Sequence, residues 1–124
     1  MYRTGLNSRL RSRHFLADAS PREGIEHSHD YLVEVTVSGS ELDEKGYLVD
    51  IDMLRSALSS VLERYRDRCL NELPEFVSSP PSLENLAREV HHRLGAALGD
   101  RQWSIEVRVW EDPEAWASYE GAWG

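Results

Sequence analysis

The chain has 124 residues, 40% of them hydrophobic, which suits one domain over residues 1–124 with a modest core. A net charge of −8 excludes a general nucleic-acid binder, and a single cysteine excludes an intrachain disulfide framework. No apolar run approaches the ~18 residues of a membrane-spanning helix, and the N-terminus lacks a signal-peptide core. We therefore expect a cytoplasmic protein without membrane or nucleic-acid partners.

Residues 2–16 alternate and predict a first strand, which a loop over residues 17–26 follows. The arginines of the first strand, together with Arg22 in the loop, could face an anionic ligand or solvent. Residues 27–38 alternate strictly and predict a second strand. The two faces of the first strand carry Leu6, Leu10, His14 and Leu16, and Arg3, Arg9, Arg11 and Arg13.

The middle of the chain predicts two amphipathic helices. The first begins after Asp50, a preferred N-cap residue, and the second runs from its cap at Ser82 to Gly99. A third strand follows at residues 102–111, and residues 115–119 fit a short fourth strand or a turn. This order predicts an α+β fold in which an antiparallel sheet carries two helices on one face.

Two histidines share a face with the valines of the second strand. Because the period of a strand is two, His27 and His29 project to the same side and could chelate one ion, or could simply lie exposed at the sheet rim. If the first two strands pair as a hairpin, His14 lies close to them. Three neutral imidazoles with an open fourth position are typical of a catalytic zinc site.

Other polar residues lie near the predicted core. Glu111 continues the apolar face of the third strand, where a carboxylate must be paired unless it reaches solvent at the strand end. His91 and His92 lie off the apolar stripe of the second helix, so we expect both at the surface. Cys69 is expected to be a small buried hydrophobic residue.

Several short motifs follow one another along nearly the whole chain. They are Arg13-His14-Phe15-Leu16, His27-Ser28-His29-Asp30-Tyr31, Gly46-Tyr47-Leu48-Val49-Asp50, Asp67 with Leu70-Asn71-Glu72, Pro81-Ser82-Leu83-Glu84-Asn85, and Val109-Trp110-Glu111 followed by Tyr119. In this order and with these separations, the sequence resembles the 6-pyruvoyl-tetrahydropterin synthase and 6-carboxy-tetrahydropterin synthase family. The resemblance implies the tunnelling fold, a ββααββ subunit whose sheets join into a barrel, as a trimer or hexamer with active sites at subunit interfaces.

The resemblance also implies a chemistry and a set of site residues. Zinc would be held by three histidines, and the substrate would be 7,8-dihydroneopterin triphosphate or a related dihydropterin. Glu111 would anchor the pterin, and Ser82 matches a threonine that helps to hold it, although Ser82 also caps a helix. Asp67 matches the aspartate of a catalytic Asp-His pair. The implied zinc ligands are His14, His27 and His29.

Two positions depart from the family pattern. The catalytic cysteine that precedes the His-x-His motif is missing, and Glu23 is the fourth residue before His27; Arg68 replaces the histidine of the Asp-His pair. One branch of the family carries glutamate in place of cysteine and cleaves the side chain to give 6-hydroxymethyl-dihydropterin. Glu23 is therefore our candidate base, with Glu26 second because alternation turns it away from the metal.

Three functions remain open at this stage. The first is a zinc-dependent lyase that gives either the hydroxymethyl or the carboxy product. The second is a family descendant that binds zinc and a pterin without turnover, which Arg68 and the missing cysteine favour. The third is a metal-free oligomeric scaffold.

Overall fold

The computed structural model describes residues 1–17, 20–21, 23–99 and 102–123. The described elements follow the order ββααββ and confirm the predicted α+β class. The last strand is longer than the predicted segment 115–119, and the first strand ends before Leu16. Two short 3-10 turns, Leu70–Glu72 and Pro74–Phe76, lie between the helices. The elements are β1 (Tyr2–His14), β2 (His27–Gly39), α1 (Ile51–Glu63), α2 (Leu83–Leu98), β3 (Trp103–Trp110) and β4 (Trp116–Trp123).

The four strands form one antiparallel sheet in the order β1-β2-β3-β4. Helix α2 packs on β3 and β4, and α1 contacts both α2 and β1. The alternation of β2 and β3 explains this layer, because each strand turns its β-branched residues toward the helices and its polar residues away. The buried residues of this face include Tyr31, Val33, Val35, Val37, Ile105, Val107 and Val109.

The helix ends follow the sequence signals. The Asp50 side chain accepts hydrogen bonds from the backbone N–H groups of Asp52 and Met53 at the start of α1. The Ser82 hydroxyl accepts one from the N–H of Asn85 at the start of α2. Gly99 ends α2 with φ +75°, a backbone conformation that favours glycine. The predicted caps are confirmed.

The prediction of a surface position for His91 was wrong, because its side chain is only 2% exposed. Its Nε2 lies 3.3 Å from the carbonyl oxygen of Gly121, and its ring packs 4.8 Å from that of Tyr119. The cause is β4, which extends past the predicted segment and covers this flank of α2. His92 is exposed and Cys69 is buried, as predicted.

The basic face of β1 is the face without helices. Arg3, Arg9, Arg11 and Arg13 are all exposed there, whereas Arg22 lies outside the described residues. Among the described helices, neither combines the length with the apolar character needed to cross a membrane.

Candidate metal centre and active site

The β1–β2 hairpin brings the three predicted histidines together. The antiparallel register places His14 directly opposite His27, and Ser12 opposite His29. His14 and His29 therefore occupy neighbouring positions on the helix-covered face of the sheet, with His27 at its end. The sequence placed His14 near the other two histidines only if the first two strands paired as a hairpin, and the structure contains that hairpin.

The three rings surround a common point. Their centroids are 4.6 Å apart for His14 and His27, 5.1 Å for His14 and His29, and 4.8 Å for His27 and His29. Each pair meets edge to face, with interplanar angles of 70–86°. One ligand atom from each ring lies within 4.8 Å of the other two. We call this group the histidine centre.

In two of the three rings, a hydrogen bond on the outer nitrogen leaves the inner nitrogen without a proton. Nδ1 of His14 donates to the carbonyl oxygen of Pro81 at 2.7 Å, and Nδ1 of His27 donates to that of Ile25 at 2.6 Å. This fixes the tautomer in which Nε2 carries the lone pair. All three Nε2 atoms, including that of His29, are buried without a hydrogen-bond partner among the described residues.

Such an arrangement fits a metal ion. A buried polar atom without a partner costs about 1–3 kcal/mol, and three of them converge here. Burial lowers the pKa of His14, which the hydrogen bond to Pro81 partly opposes. Burial also lowers the pKa of His29, and the nearby His27 lowers it further. These shifts favour the neutral form of His14 and His29, which is the form that coordinates a metal.

Two carboxylates flank the histidine centre. Glu23 Oε2 lies 3.5 Å from Nε2 of His27, and Glu111 Oε2 lies 3.9 Å from Nε2 of His29. The loop positions Glu23 because its carbonyl accepts a 2.7 Å hydrogen bond from the N–H of Leu16. Burial raises the pKa of Glu111, and the nearby carboxylates of Glu23 and Asp112 raise it further.

A cavity of about 370 Å³ opens in front of the histidine centre. We call it the metal pocket. Among the described residues its lining joins two histidines to three carboxylates, so it can hold a cation and a ligand rich in N–H donors. It is lined by Glu23, His27, Ser28, His29, Glu111 and Asp112.

Three predicted site residues lie outside this lining: His14, which belongs to the histidine centre, Ser82 and Asp67. Ser82 caps α2 and follows Pro81, whose carbonyl holds His14. Asp67 is exposed, has φ +54°, and donates its N–H to the carbonyl oxygen of Arg11 at 2.7 Å, at the outer edge of β1. Within one chain the structure does not bring Asp67 into the metal pocket, and its role stays a prediction.

Sequence reasoning missed two residues of the site, Asp112 and Tyr31. Asp112 lines the metal pocket, and its side chain accepts hydrogen bonds from the N–H groups of Glu114 and Ala115. Those bonds lower its pKa. Its position next to Glu111, before a proline, was the signal that could have found it. Tyr31 is fully buried and packs 5.3 Å from the ring of His29; burial raises its pKa.

The fold and the site define an α+β protein with a cluster of three histidines, arranged as metal ligands are, at one end of an antiparallel sheet. A family model for 6-pyruvoyl tetrahydropterin synthase matches residues 5–122. The chain belongs to this family. The sequence resemblance is therefore confirmed over nearly the whole length of the chain.

Two relatives show how distant this member is. Over 100 residues the chain is 29% identical to 6-carboxy-5,6,7,8-tetrahydropterin synthase of Bacillus subtilis. The aligned region covers 75% of this chain and 66% of that protein. It is 29% identical over 97 residues to 6-pyruvoyl tetrahydrobiopterin synthase of Drosophila melanogaster, covering 77% and 58%. The chain thus spans less than two thirds of the length of these relatives.

Solved structures share the fold. A 6-pyruvoyl tetrahydropterin synthase of Caenorhabditis elegans superimposes with a TM-score of 0.81 at 19% identity, covering 98% of this chain and 96% of that one. The Plasmodium falciparum protein gives 0.80 at 16% identity, with 98% of each chain covered. A Plasmodium vivax 6-pyruvoyltetrahydropterin synthase, described as a catalytic residue mutant with alanine in place of glutamate, gives 0.75 at 16% identity, with 98% and 99% covered.

Proposed function

We propose that this protein is a zinc-dependent lyase that acts on the side chain of 7,8-dihydroneopterin triphosphate or a related dihydropterin. The observation that carries the proposal is the convergence of three buried Nε2 atoms, none with a hydrogen-bond partner among the described residues, beside two carboxylates. Family membership supports the substrate class. The zinc ligands in this proposal are His14, His27 and His29.

The chain supplies a base beside the metal ligands. A zinc ion bound there would acidify a substrate proton and stabilise the oxyanion that its removal leaves. Glu23 is our candidate to take that proton, because it lines the metal pocket and lies 3.5 Å from His27. Glutamate as the named catalytic residue of the P. vivax protein supports the same choice.

The second carboxylate suits recognition of the pterin. Glu111 lines the metal pocket next to His29, whereas Glu23 lies next to His27. A carboxylate can accept two parallel hydrogen bonds, and the 2-amino-4-oxo edge of a pterin offers two N–H donors in that spacing. We assign Glu111 to this edge, and Ser82 to a supporting contact from the start of α2.

Assembly would complete the site. Strands β1 and β4 form the two edges of the sheet, and an exposed edge can pair with another chain. We propose that such pairing closes the barrel of a homotrimer or hexamer. Asp67, exposed at the outer edge of β1, would then serve a pocket shared with a neighbouring chain. Arg68 beside it cannot shuttle a proton as histidine does.

The test is turnover by the zinc-loaded protein. Dihydroneopterin triphosphate is incubated with wild type, Glu23→Gln and Glu26→Gln, and the products are identified by mass spectrometry. We expect wild type to give 6-hydroxymethyl-dihydropterin, with a carboxy product as the other lyase outcome. Loss of a positioned base should slow Glu23→Gln by about 10²–10⁴-fold. Glu26→Gln is the matched control, because Glu26 is exposed and its carboxylate approaches the Cys69 thiol instead.

A second candidate is a zinc- and pterin-binding protein without turnover. The observation that favours it is Arg68 at the position where the family has histidine, together with Asp67 outside the metal pocket. Calorimetric binding of a dihydropterin without any product would establish it. Unchanged turnover in Glu23→Gln would instead keep the lyase and remove Glu23 as its base.

A further inference from the structure

We propose that Asn71 is a positioning residue that holds the metal ligand His14 in place; the inference rests on the proposed metal centre. The Asn71 side chain bonds to both backbone groups of Phe15, the residue directly after His14. Its Oδ1 accepts a hydrogen bond from the Phe15 N–H at 2.9 Å, and its Nδ2 donates to the Phe15 carbonyl at 2.9 Å.

We call the two hydrogen bonds between Asn71 and Phe15 the clamp. The clamp lies where the backbone pairing between β1 and β2 ends. The β1–β2 pairing ends at the pair of His14 and His27, and β1 is an edge strand of the sheet. On the outer side of β1, Arg13 forms an isolated parallel β-bridge with Cys69. The backbone N–H of Arg13 donates to the carbonyl oxygen of Arg68 at 2.9 Å. The segment after α1 therefore acts as a short backbone partner for the end of β1.

The Asn71 side chain continues this pairing by one residue, because it bonds to both backbone groups of Phe15. An amide side chain presents one donor and one acceptor, which is what the backbone of a neighbouring strand residue would offer. Both Phe15 groups are thereby satisfied at a position where the chain leaves the sheet. The Ser12 hydroxyl lies next to this segment, and its single proton is shared between the carbonyl oxygens of Tyr65 and Arg68, at 2.8 and 2.9 Å.

Two independent contacts then fix the His14 ligand. The Pro81 carbonyl sets the rotation of the ring through Nδ1, and Asn71 sets the position of the backbone that carries the ring. A metal site tolerates little displacement of a ligand, since Zn–N bonds are near ~2.0 Å. Loss of the clamp should therefore lower the affinity for the metal by more, in free energy, than it lowers the free energy of unfolding.

The experiment titrates Co²⁺ alone into wild type and Asn71→Leu, which keeps the side-chain size and removes both hydrogen bonds. Visible d–d absorption reports coordination geometry, and competition with Zn²⁺ gives relative affinity. Removal of a residue that orients a metal ligand typically weakens metal binding by about 10- to 100-fold, and we expect a loss in this range. We also expect altered d–d bands, which a purely structural role would not produce.

Two control variants separate positioning from stability. Asn7→Leu makes the same chemical change on the exposed, helix-free face of β1 and should bind Co²⁺ as wild type does. Glu75→Gln removes the carboxylate that pairs with Arg64 and should lower stability while leaving the Co²⁺ spectrum unchanged. Wild-type affinity and spectrum in Asn71→Leu would overturn the inference while the metal centre stands. Absence of Co²⁺ binding by wild type would overturn both.

A measurement on the wild type covers the case in which Asn71→Leu does not fold. Amide hydrogen exchange at Phe15 should be slow without metal, because Asn71 accepts that N–H. Added Zn²⁺ should slow it further, and by a larger factor than at amides in the centre of β3. Fast exchange at Phe15 in both states would contradict a clamp at this position.

Discussion

Replacing Glu75 by glutamine tests the polar contact that joins the two helices to the turn between them. The Glu75 carboxylate accepts 2.7 Å hydrogen bonds from both Nε and Nη2 of Arg64, at the end of α1, and one of 2.9 Å from the Tyr65 hydroxyl. Arg93 of α2 adds an ion pair at 3.2 Å. The side chain of Glu75 is only 8% exposed, so these contacts are shielded from water.

The size of the effect follows from the pKa. The hydrogen bonds from Arg64 lower the pKa of Glu75 from 4.5 to about 2. That difference corresponds to about 3 kcal/mol of free energy of unfolding at neutral pH. Both arginines are about a third exposed, which weakens the pairing, so we expect Glu75→Gln to cost about 2 kcal/mol. For a domain of this size the melting temperature should fall by about 8 °C.

The pH dependence has a definite sign. Because the folded pKa is below the unfolded value, the unfolded state binds more protons between them. The stabilisation from Glu75 is complete above pH 4.5 and is lost as the pH falls through about 2. Urea unfolding of both proteins at pH 7 and pH 3 should show the gap in unfolding free energy shrinking to less than half of its value at pH 7. A gap that stays constant, or no gap at pH 7, would refute the reasoning.

Three further predictions concern the metal centre, a close backbone contact and a buried histidine. Zinc at about 100 times its dissociation constant should add about 2.7 kcal/mol of stability, seen as a higher melting temperature, and His29→Ala should abolish the shift. Gly5→Ala should cost about 1–3 kcal/mol in thermal melting, because its Cβ would lie 2.8 Å from the Val35 carbonyl oxygen, whereas Gly24→Ala has ordinary clearance. Burial lowers the pKa of His91, so the unfolded state binds a proton more readily and the free energy of unfolding should fall as the pH drops below 6.5. In urea unfolding, the difference in unfolding free energy between wild type and His91→Gln should therefore narrow from pH 7.5 to pH 5.5.

Local patterns carried most of the fold prediction. The alternation from Tyr31 to Val37 reflects a strand with one buried face, and the caps at Asp50 and Ser82 reflect backbone N–H groups that need acceptors. These signals depend only on residues close in sequence. The two histidines of the second strand were predictable on the same basis, since a period of two places them side by side.

The sequence by itself therefore determined the first three strands, the two helices, their order and the shared face of His27 and His29. Only the tertiary structure decided that His14 lies opposite His27, that the Pro81 carbonyl orients its ring from 67 residues away, and that β4 buries His91. Periodicity describes the faces of an element, whereas these contacts depend on which distant segment comes to cover each face. That choice is made by the packing of the whole chain, so no local pattern contains it.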